Sequence, residues 1–291
     1  MTPRIDAHHH LWHYTPAEYG WISKEMSLLR RNFLVADLER ELESAQVTGA
    51  VAVQARQSIA ETDWLLQQAA VTSSILGVVG WLPLESPGLP VLLDAYCADT
   101  RLKGLRHIVQ AEPAGFMDGE AFNRGLRLMR PSGLTFDLLV VADQLAESVR
   151  LVDRHPLQPF VLDHIGKPPI RSGERTQWAA DLRDLARRPH VSCKLSGMLT
   201  ETDWTRWSAA ELQPYFEVVL EAFGPQRLMI GTDWPVLTVG STYAGWWHVV
   251  EGWAASLSRE EKDAILGTNA MRFYSLTHEE APLMASQKGS R

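Results

Sequence analysis

Eight short apolar runs, separated by longer amphipathic stretches, constrain this chain more than any other feature of its sequence. The runs predict strands over residues 4–6, 50–54, 76–80, 104–108, 134–140, 160–163, 191–194 and 227–231. Between them, residues 35–47, 62–72, 89–98, 120–129, 142–153, 176–186 and 209–222 read as helices. In 35–47, for example, Leu38, Leu42 and Ala45 share one face, while Glu39, Arg40, Glu41 and Glu43 fall largely on the other. Pro156, Pro189 and Pro225 each follow a helical stretch and precede a strand, where a helix stop belongs. Such alternation implies right-handed βαβ units, and eight of them predict an α/β fold, a single (β/α)8 TIM barrel. The chain has 291 residues, and barrels of about 250 residues routinely form one unit. No Gly/Ser linker or composition break divides it. One barrel domain over 1–276 is expected, followed by a polar tail, 277–291, expected to be disordered.

Composition removes several classes of function. Two cysteines, Cys97 and Cys193, are too few for a disulfide framework or a zinc knuckle. A net charge of −7 argues against a nucleic-acid partner held by a basic field. No apolar run approaches the ~20 residues of a membrane span. The N-terminus opens on Arg4, Asp6 and three histidines instead of an apolar signal. A soluble, cytoplasmic protein is expected, with no membrane or nucleic-acid partner. Eleven tryptophans against six tyrosines suit a large core or an aromatic-lined pocket. The longest insertion, 11–33, carries Trp12, Tyr14, Tyr19 and Trp21 and is placed to act as a lid. Tryptophans 204, 207, 246, 247 and 253 fall in the helical C-terminal half and read as packing.

Barrel enzymes carry their chemistry at the C-terminal ends of the strands. Those ends read, in order, Asp6-Ala7-His8-His9-His10, Gln54-Ala55-Arg56, Trp81, Arg106-His107, Asp137, Asp163-His164-Ile165-Gly166-Lys167-Pro168, Lys194-Leu195-Ser196-Gly197 and Thr232-Asp233-Trp234-Pro235. A purely structural barrel has no reason to collect ionisable groups at one rim. On a strand, His8 and His10 share a face and His9 points the other way. Two imidazoles on one face, with an Asp oxygen, suit a divalent metal. His164 alone reads as a packed or capping residue, Lys167 as a surface lysine, and Asp233 equally well as the N-cap of the following helix.

Taken together, His8-x-His10, Asp163-His164-Ile165-Gly166-Lys167-Pro168 and Gly231-Thr232-Asp233-Trp234-Pro235 make the chain resemble the amidohydrolase superfamily. Within it, the resemblance is to the sugar-lactone hydrolase branch, which includes L-fuconolactonases and L-rhamnonolactonases. It spans residues 4–274. It implies a lactone-opening hydrolase of carbohydrate metabolism, with Asp233 as base, His164 beside it, and His8, His10 and Asp233 as the ligands of one divalent metal, zinc by preference. Binuclear amidohydrolases carry a bridging lysine or glutamate on strand four and a ligand histidine on strand five. Here those strands offer Arg106-His107 and Phe136-Asp137, so at most one ion is expected. Members of this branch work with a loosely held metal or with none.

Lactone opening is acyl transfer to water, needing a base for the water and positive or hydrogen-bonding groups for the oxyanion. Arg56, Arg106, His107 and Lys167 are the candidates to grip lactone oxygens, and Trp12, Trp21 and Trp234 to cover the sugar's apolar face. Only Arg56 and Arg106 are arginines at predicted strand ends, which favours a neutral sugar lactone over a dicarboxylate one. A metal-dependent decarboxylase on the same barrel is the competing reaction class, and a non-catalytic sugar-binding barrel the third reading.

Overall fold

The computed structural model describes residues 2–277. The tail expected beyond 276 therefore lies, Thr277 apart, outside the described residues. Eight strands form one parallel sheet in the order of the chain: β1 (Ile5–His9), β2 (Gly49–Val53), β3 (Ile75–Gly80), β4 (Leu102–His107), β5 (Thr135–Leu138), β6 (Phe160–Leu162), β7 (Val191–Leu195) and β8 (Leu228–Ile230). Backbone hydrogen bonds from Asp233 to His8 (2.8 Å) and from His10 to Trp234 (2.6 Å) join the last strand to the first. The arrangement is the expected TIM barrel. Around it run α1 (Val35–Ser44), α2 (Ile59–Val71), α3 (Leu89–Tyr96), α4 (Glu120–Met129), α5 (Leu145–Arg154), α6 (Thr176–Ala186), α7 (Ala209–Phe223) and α8 (Tyr243–Trp253). Two short helices, α9 (Arg259–Asp263) and α10 (Asn269–Phe273), follow. Among the described residues, no helix is long and apolar enough to cross a membrane.

The strands alternate between two environments. On β5, Phe136 and Leu138 belong to the shell packed under the helices, while Asp137 faces the barrel interior. That interior is built in layers. Ile5, Ala7, Val51, Val53, Val79, Val161 and Met229 pack with Tyr274, beyond α10, at its apolar base. Above them lie buried ionisable groups, Asp137 and Lys194, and above those the histidines of the rim.

β1 is longer than its apolar letters suggest, and it breaks the simple alternation. Asp6 pairs with Ala50 and His9 with Ala52, so Ala7 and His8 together stand opposite the single Val51. Such a bulge is unusual between parallel strands. It lets both neighbours face inward, Ala7 into the apolar base and His8 into the rim. Asp6, on the outer side, holds the bulge. Its carboxylate accepts from the His8 and Thr232 amides (3.0 and 2.9 Å) and from the Thr232 and Tyr243 hydroxyls (2.6 and 2.9 Å). Burial nonetheless pushes its carboxyl up to about 6, with those four hydrogen bonds opposing the shift.

Candidate active site

Four side chains from three strand ends converge on one point. His8 Nε2 and His10 Nε2 are 3.2 Å apart. Asp233 Oδ1 lies 3.2 Å from His10 Nε2, 3.7 Å from His8 Nε2 and 3.9 Å from His164 Nε2. All four residues are buried. His10 donates from Nδ1 to the Val53 carbonyl (2.8 Å), which leaves its Nε2 lone pair facing the others. His164 Nδ1 sits 2.9 Å from Ser196 Oγ. Two turns deliver these groups. After β6, His164, Ile165, Gly166 and Lys167 take φ of +54°, +50°, +73° and +47°, a left-handed run that is costly for a β-branched Ile165. Asp233 is itself left-handed, at φ +59°. Gly197 makes room for the imidazole: a Cβ there would lie 2.4 Å from the His164 ring.

The protonation states suit hydrolysis. Burial drives His164 down to about 4, although Asp233 and Asp163 pull the other way. Burial, and then Lys194, hold His8 well below the ordinary histidine range. For Asp233, burial favours the neutral acid, but His164, the contacts from His10 and Lys167 outweigh it and keep the carboxyl below its usual value. At neutral pH the rim therefore presents the Asp233 carboxylate beside the neutral imidazoles of His8 and His164.

Beneath this rim lies a charge network. Lys194 Nζ is 2.5 Å from Asp137 Oδ2, 3.0 Å from Asp163 Oδ1 and 3.1 Å from His8 Nδ1. Tyr274 donates to Asp137 (2.8 Å). Arg106 on β4 donates to the Gln54 carbonyl and to Asp163 Oδ2 (3.0 Å), and its Nη1 lies 3.2 Å from His8 Nε2. Asp163 is thus held well below the ordinary carboxylate range despite full burial, by Lys194 first and then by His8 and Arg106. The strand ends include Asp137, Asp163 and Lys194 without a role and place Arg106 against the substrate, so the network that joins them is new to the structure. Its signal was there in Lys194, a lysine inside an apolar strand, and in Asp137 between Phe136 and Leu138. Tyr274, distant in sequence from every strand end, gave none.

Two overlapping sets of side chains have metal-binding geometry: His8, His10 and Asp233, and His8, Asp163 and His164. Zinc–nitrogen and zinc–oxygen bonds of about 2.0–2.2 Å place tetrahedral ligand atoms roughly 3.3–3.5 Å apart. The first set, at 3.2, 3.2 and 3.7 Å, fits that spacing. Its ring lone pairs also face a carboxylate, an arrangement that calls for a cation or a proton between them. In the second set, Asp163 is already taken by Lys194 and Arg106.

A cavity of about 470 Å³ opens over the rim. His10, Arg106, His164, Lys167 and Asp233 line it, and so does Trp21 from the 11–33 loop, 46% exposed. Other expected contacts lie elsewhere. Trp12 and Trp234 are buried against Phe33, and Trp12 donates to the Arg31 carbonyl (2.9 Å). His107 turns aside to Glu112 (2.8 Å) and stacks on Phe116. Arg56 is held by Glu18 and Glu61 and does not reach the cavity wall. Gln110, Thr200 and Glu201, none of them singled out from sequence, do. They sit on loops after β4 and β7, where no apolar pattern marks them. Of the C-terminal tryptophans, Trp246, Trp247 and Trp253 are buried on α8, while the indoles of Trp204 and Trp207 tie loop to loop through the Thr200 and Gly240 carbonyls.

Comparison with known proteins agrees with this geometry. The chain is 41% identical over 286 residues to an L-fucono-1,5-lactonase of Burkholderia multivorans, covering 94% of this chain and 96% of that protein. It is 32% identical to an L-fucono-1,5-lactonase of Burkholderia ambifaria, with the same coverage. A crystal structure of a Burkholderia multivorans amidohydrolase with bound zinc superposes with a TM-score of 0.90 at 37% identity, over 94% of this chain and all of that one. Residues 5–276 match the model of the amidohydrolase family, and with the strand-end histidines and Asp233 gathered at one rim, this chain belongs to that family.

Proposed function

We propose that this protein is a one-domain cytoplasmic enzyme that opens a neutral sugar lactone, of the L-fuconolactone or L-rhamnonolactone kind, to the aldonic acid. The observation that carries the reading is the ionised Asp233, ringed by His8, His10 and His164 at the floor of a cavity, in a chain 41% identical to an L-fucono-1,5-lactonase. Asp233 orients the water and takes its proton as the water attacks the lactone carbonyl. The oxyanion develops against the Arg106 guanidinium, with an imidazole N–H of His8 or His164 as a further donor, groups that are fixed before reaction and shielded from bulk water. The ring oxygen then leaves and takes a proton from the rim, from Asp233 or by way of His164. A zinc ion held by His8, His10 and Asp233, with His164 alongside, would add Lewis-acid polarisation of the carbonyl when bound. One ion is the expected maximum, since strand five offers Phe136-Asp137 and no ligand histidine for a second. Metal analysis after dialysis against zinc should find no more than one per chain, and two tightly held ions would contradict this.

Charge on the cavity wall favours a neutral substrate. Arg106 is paired with Asp163 and Arg56 lies off the wall, so among the described residues Lys167 is the remaining cation there, with the carboxylate of Glu201 also on the wall. A dicarboxylate lactone needs more positive partners than this. The decarboxylase reading is weaker, because the strand-five position offers Asp137, buried and bound by Lys194 and Tyr274. The test is a panel of aldonolactones in a pH-indicator assay, with and without chelator. Carbon dioxide release from an aromatic acid, without lactone turnover, would reverse the assignment.

The 11–33 loop acts as the lid. Trp21 reaches the cavity edge-on to Trp12, at 6.0 Å between ring centroids. Trp21→Ala should raise KM about tenfold, the worth of one aromatic contact, and leave kcat within about twofold. Unchanged kinetics would return Trp21 to packing.

A further inference from the structure

Residues 13–30 of the lid are tied to one another at many points but to the barrel, by polar contacts, at one. The Tyr19 amide donates to the Thr15 carbonyl (3.1 Å), the Ile22 amide to the Tyr19 carbonyl (3.0 Å) and the Arg30 guanidinium to the Ile22 carbonyl (2.8 Å). The Thr15 hydroxyl donates to the Glu18 carboxylate (3.0 Å). Among the described residues, a single hydrogen-bonded ion pair leaves this stretch for anything outside the loop: Arg56 Nη1 donates to Glu18 Oε1. The same guanidinium faces the Tyr19 ring, 5.4 Å from its centroid, within cation–π reach. Arg56 is itself fixed from below. Its amide donates to Glu61 Oε2 (2.6 Å), and its Nε lies 3.8 Å from Glu61 Oε1, on a buried carboxylate. Ala55, next to it after β2, lines the cavity, so Arg56 starts at the cavity edge and turns outward to the lid.

We propose that Arg56 is a positioning residue: it fastens the lid through Glu18 and Tyr19 and so holds Trp21 at the cavity. This role rests on 11–33 acting as a lid over the lactone. The path from the latch to the cavity is short. Glu18 and Tyr19 immediately precede the Gly20-Trp21 step, in the turn that continues to Ile22. Trp12 packs against both Tyr19, at 5.4 Å between ring centroids, and Trp21. A displacement at Glu18 is therefore passed to the Trp21 indole. An exposed ion pair is ordinarily worth little, because two mobile side chains must be ordered to make it. Here Glu61 and the Tyr19 ring have already ordered the arginine, and Thr15 the glutamate, so closing the contact loses less entropy. The strand-end position that made Arg56 a candidate for lactone oxygens serves the lid instead.

Glu18→Ala, Arg56→Met and their combination test this. The first readout is the initial rate at which trypsin cuts the substrate-free enzyme after Lys24, Arg30 or Arg31, all exposed on the loop. Each single variant should be cut about three- to fivefold faster than wild type, as much as one ion pair with its aromatic contact supplies. The combination should be cut no faster than Arg56→Met, since both changes remove the same contact. Wild-type cutting of Glu18→Ala, or effects that multiply in the combination, overturns the proposal. The second readout is steady-state kinetics on the best lactone of the panel. Both single variants should raise KM about three- to fivefold, less than Trp21→Ala does, with kcat within about twofold. A loss in Arg56→Met that Glu18→Ala does not share makes Arg56 a substrate contact and also overturns the proposal. Should Arg56→Met not fold, with Glu61 left buried and without its cation, Glu18→Ala still decides, because Glu18 is exposed. If no lactone of the panel is turned over, the proposed activity fails, while proteolysis still decides the latch.

Discussion

Asp233→Asn should lower kcat by about 10²–10⁴-fold on the best sugar lactone, with KM changed much less. The carboxylate lies at the point where the three imidazoles meet, and His164, the contacts from His10 and Lys167 keep its carboxyl below the usual range against the burial that would raise it. Asparagine keeps the shape and a hydrogen-bonding oxygen but cannot take a proton. It also tolerates the left-handed backbone at this position, φ +59°, so the turn after β8 survives. The sign of the pH dependence follows from the same shifts. In the proposed reaction Asp233 acts only when ionised and its carboxyl is depressed, so wild-type kcat/KM should stay level downward from neutral pH and fall only in the acid range below the ordinary carboxylate values. His164, at about 4, gives up its neutral form in that same acid range. In the Asn variant the residual rate should instead climb with pH, as hydroxide replaces the missing base. Steady-state kinetics across pH, with circular dichroism to confirm folding, checks both. Near wild-type kcat would reassign the base to His164, and loss of folding would favour the N-cap reading of Asp233.

The barrel was legible because its signal is repeated. Each βα unit writes a short apolar run and an amphipathic stretch, and an error at one boundary leaves the other seven units in place. The helices over 120–129 and 176–186 match to the residue, whereas β1 continues to His9 because three buried histidines do not read as an apolar strand. The rim residues were legible for another reason: a strand end fixes position, so His8, His10, His164 and Asp233 follow once the strands are placed. Direction is harder. Trp12, Trp234, Arg56 and His107 stand at strand ends or in the right loop, yet they pack against Phe33, Glu61 or Phe116. Such contacts are long-range, and periodicity carries no record of them. The bulge at Ala7 and His8 is invisible for the same reason, since the Asp6 carboxylate that holds it also reaches across to Thr232 and Tyr243.

Arg106→Met should cost about 10²–10³ in kcat/KM, the usual loss on removing one donor preorganised for an oxyanion. Among the described residues, Arg106 is the one arginine on the cavity wall, and its fork is held on two sides, by the Gln54 carbonyl and by Asp163. Rigidity of this kind makes a donor effective, because no reorganisation is needed as charge develops. The same change should also destabilise the fold. Truncating one member of a buried ion pair typically costs about 3–5 kcal/mol, because the other charge is left without its partner. Asp163 keeps Lys194 at 3.0 Å, so the lower end of that range is expected. The two effects separate in Arg106→Lys. A lysine there restores a positive charge facing Asp163, and with it most of the stability. It cannot hold Gln54, Asp163 and the cavity at once, because its donors radiate from a single nitrogen instead of a planar fork. Thermal melts should therefore place Arg106→Lys near wild type, while its kcat/KM stays at least about tenfold low. If instead Arg106→Met melts early but turns over the lactone at the wild-type kcat/KM, the guanidinium serves only to neutralise Asp163, and oxyanion stabilisation rests with the histidines alone.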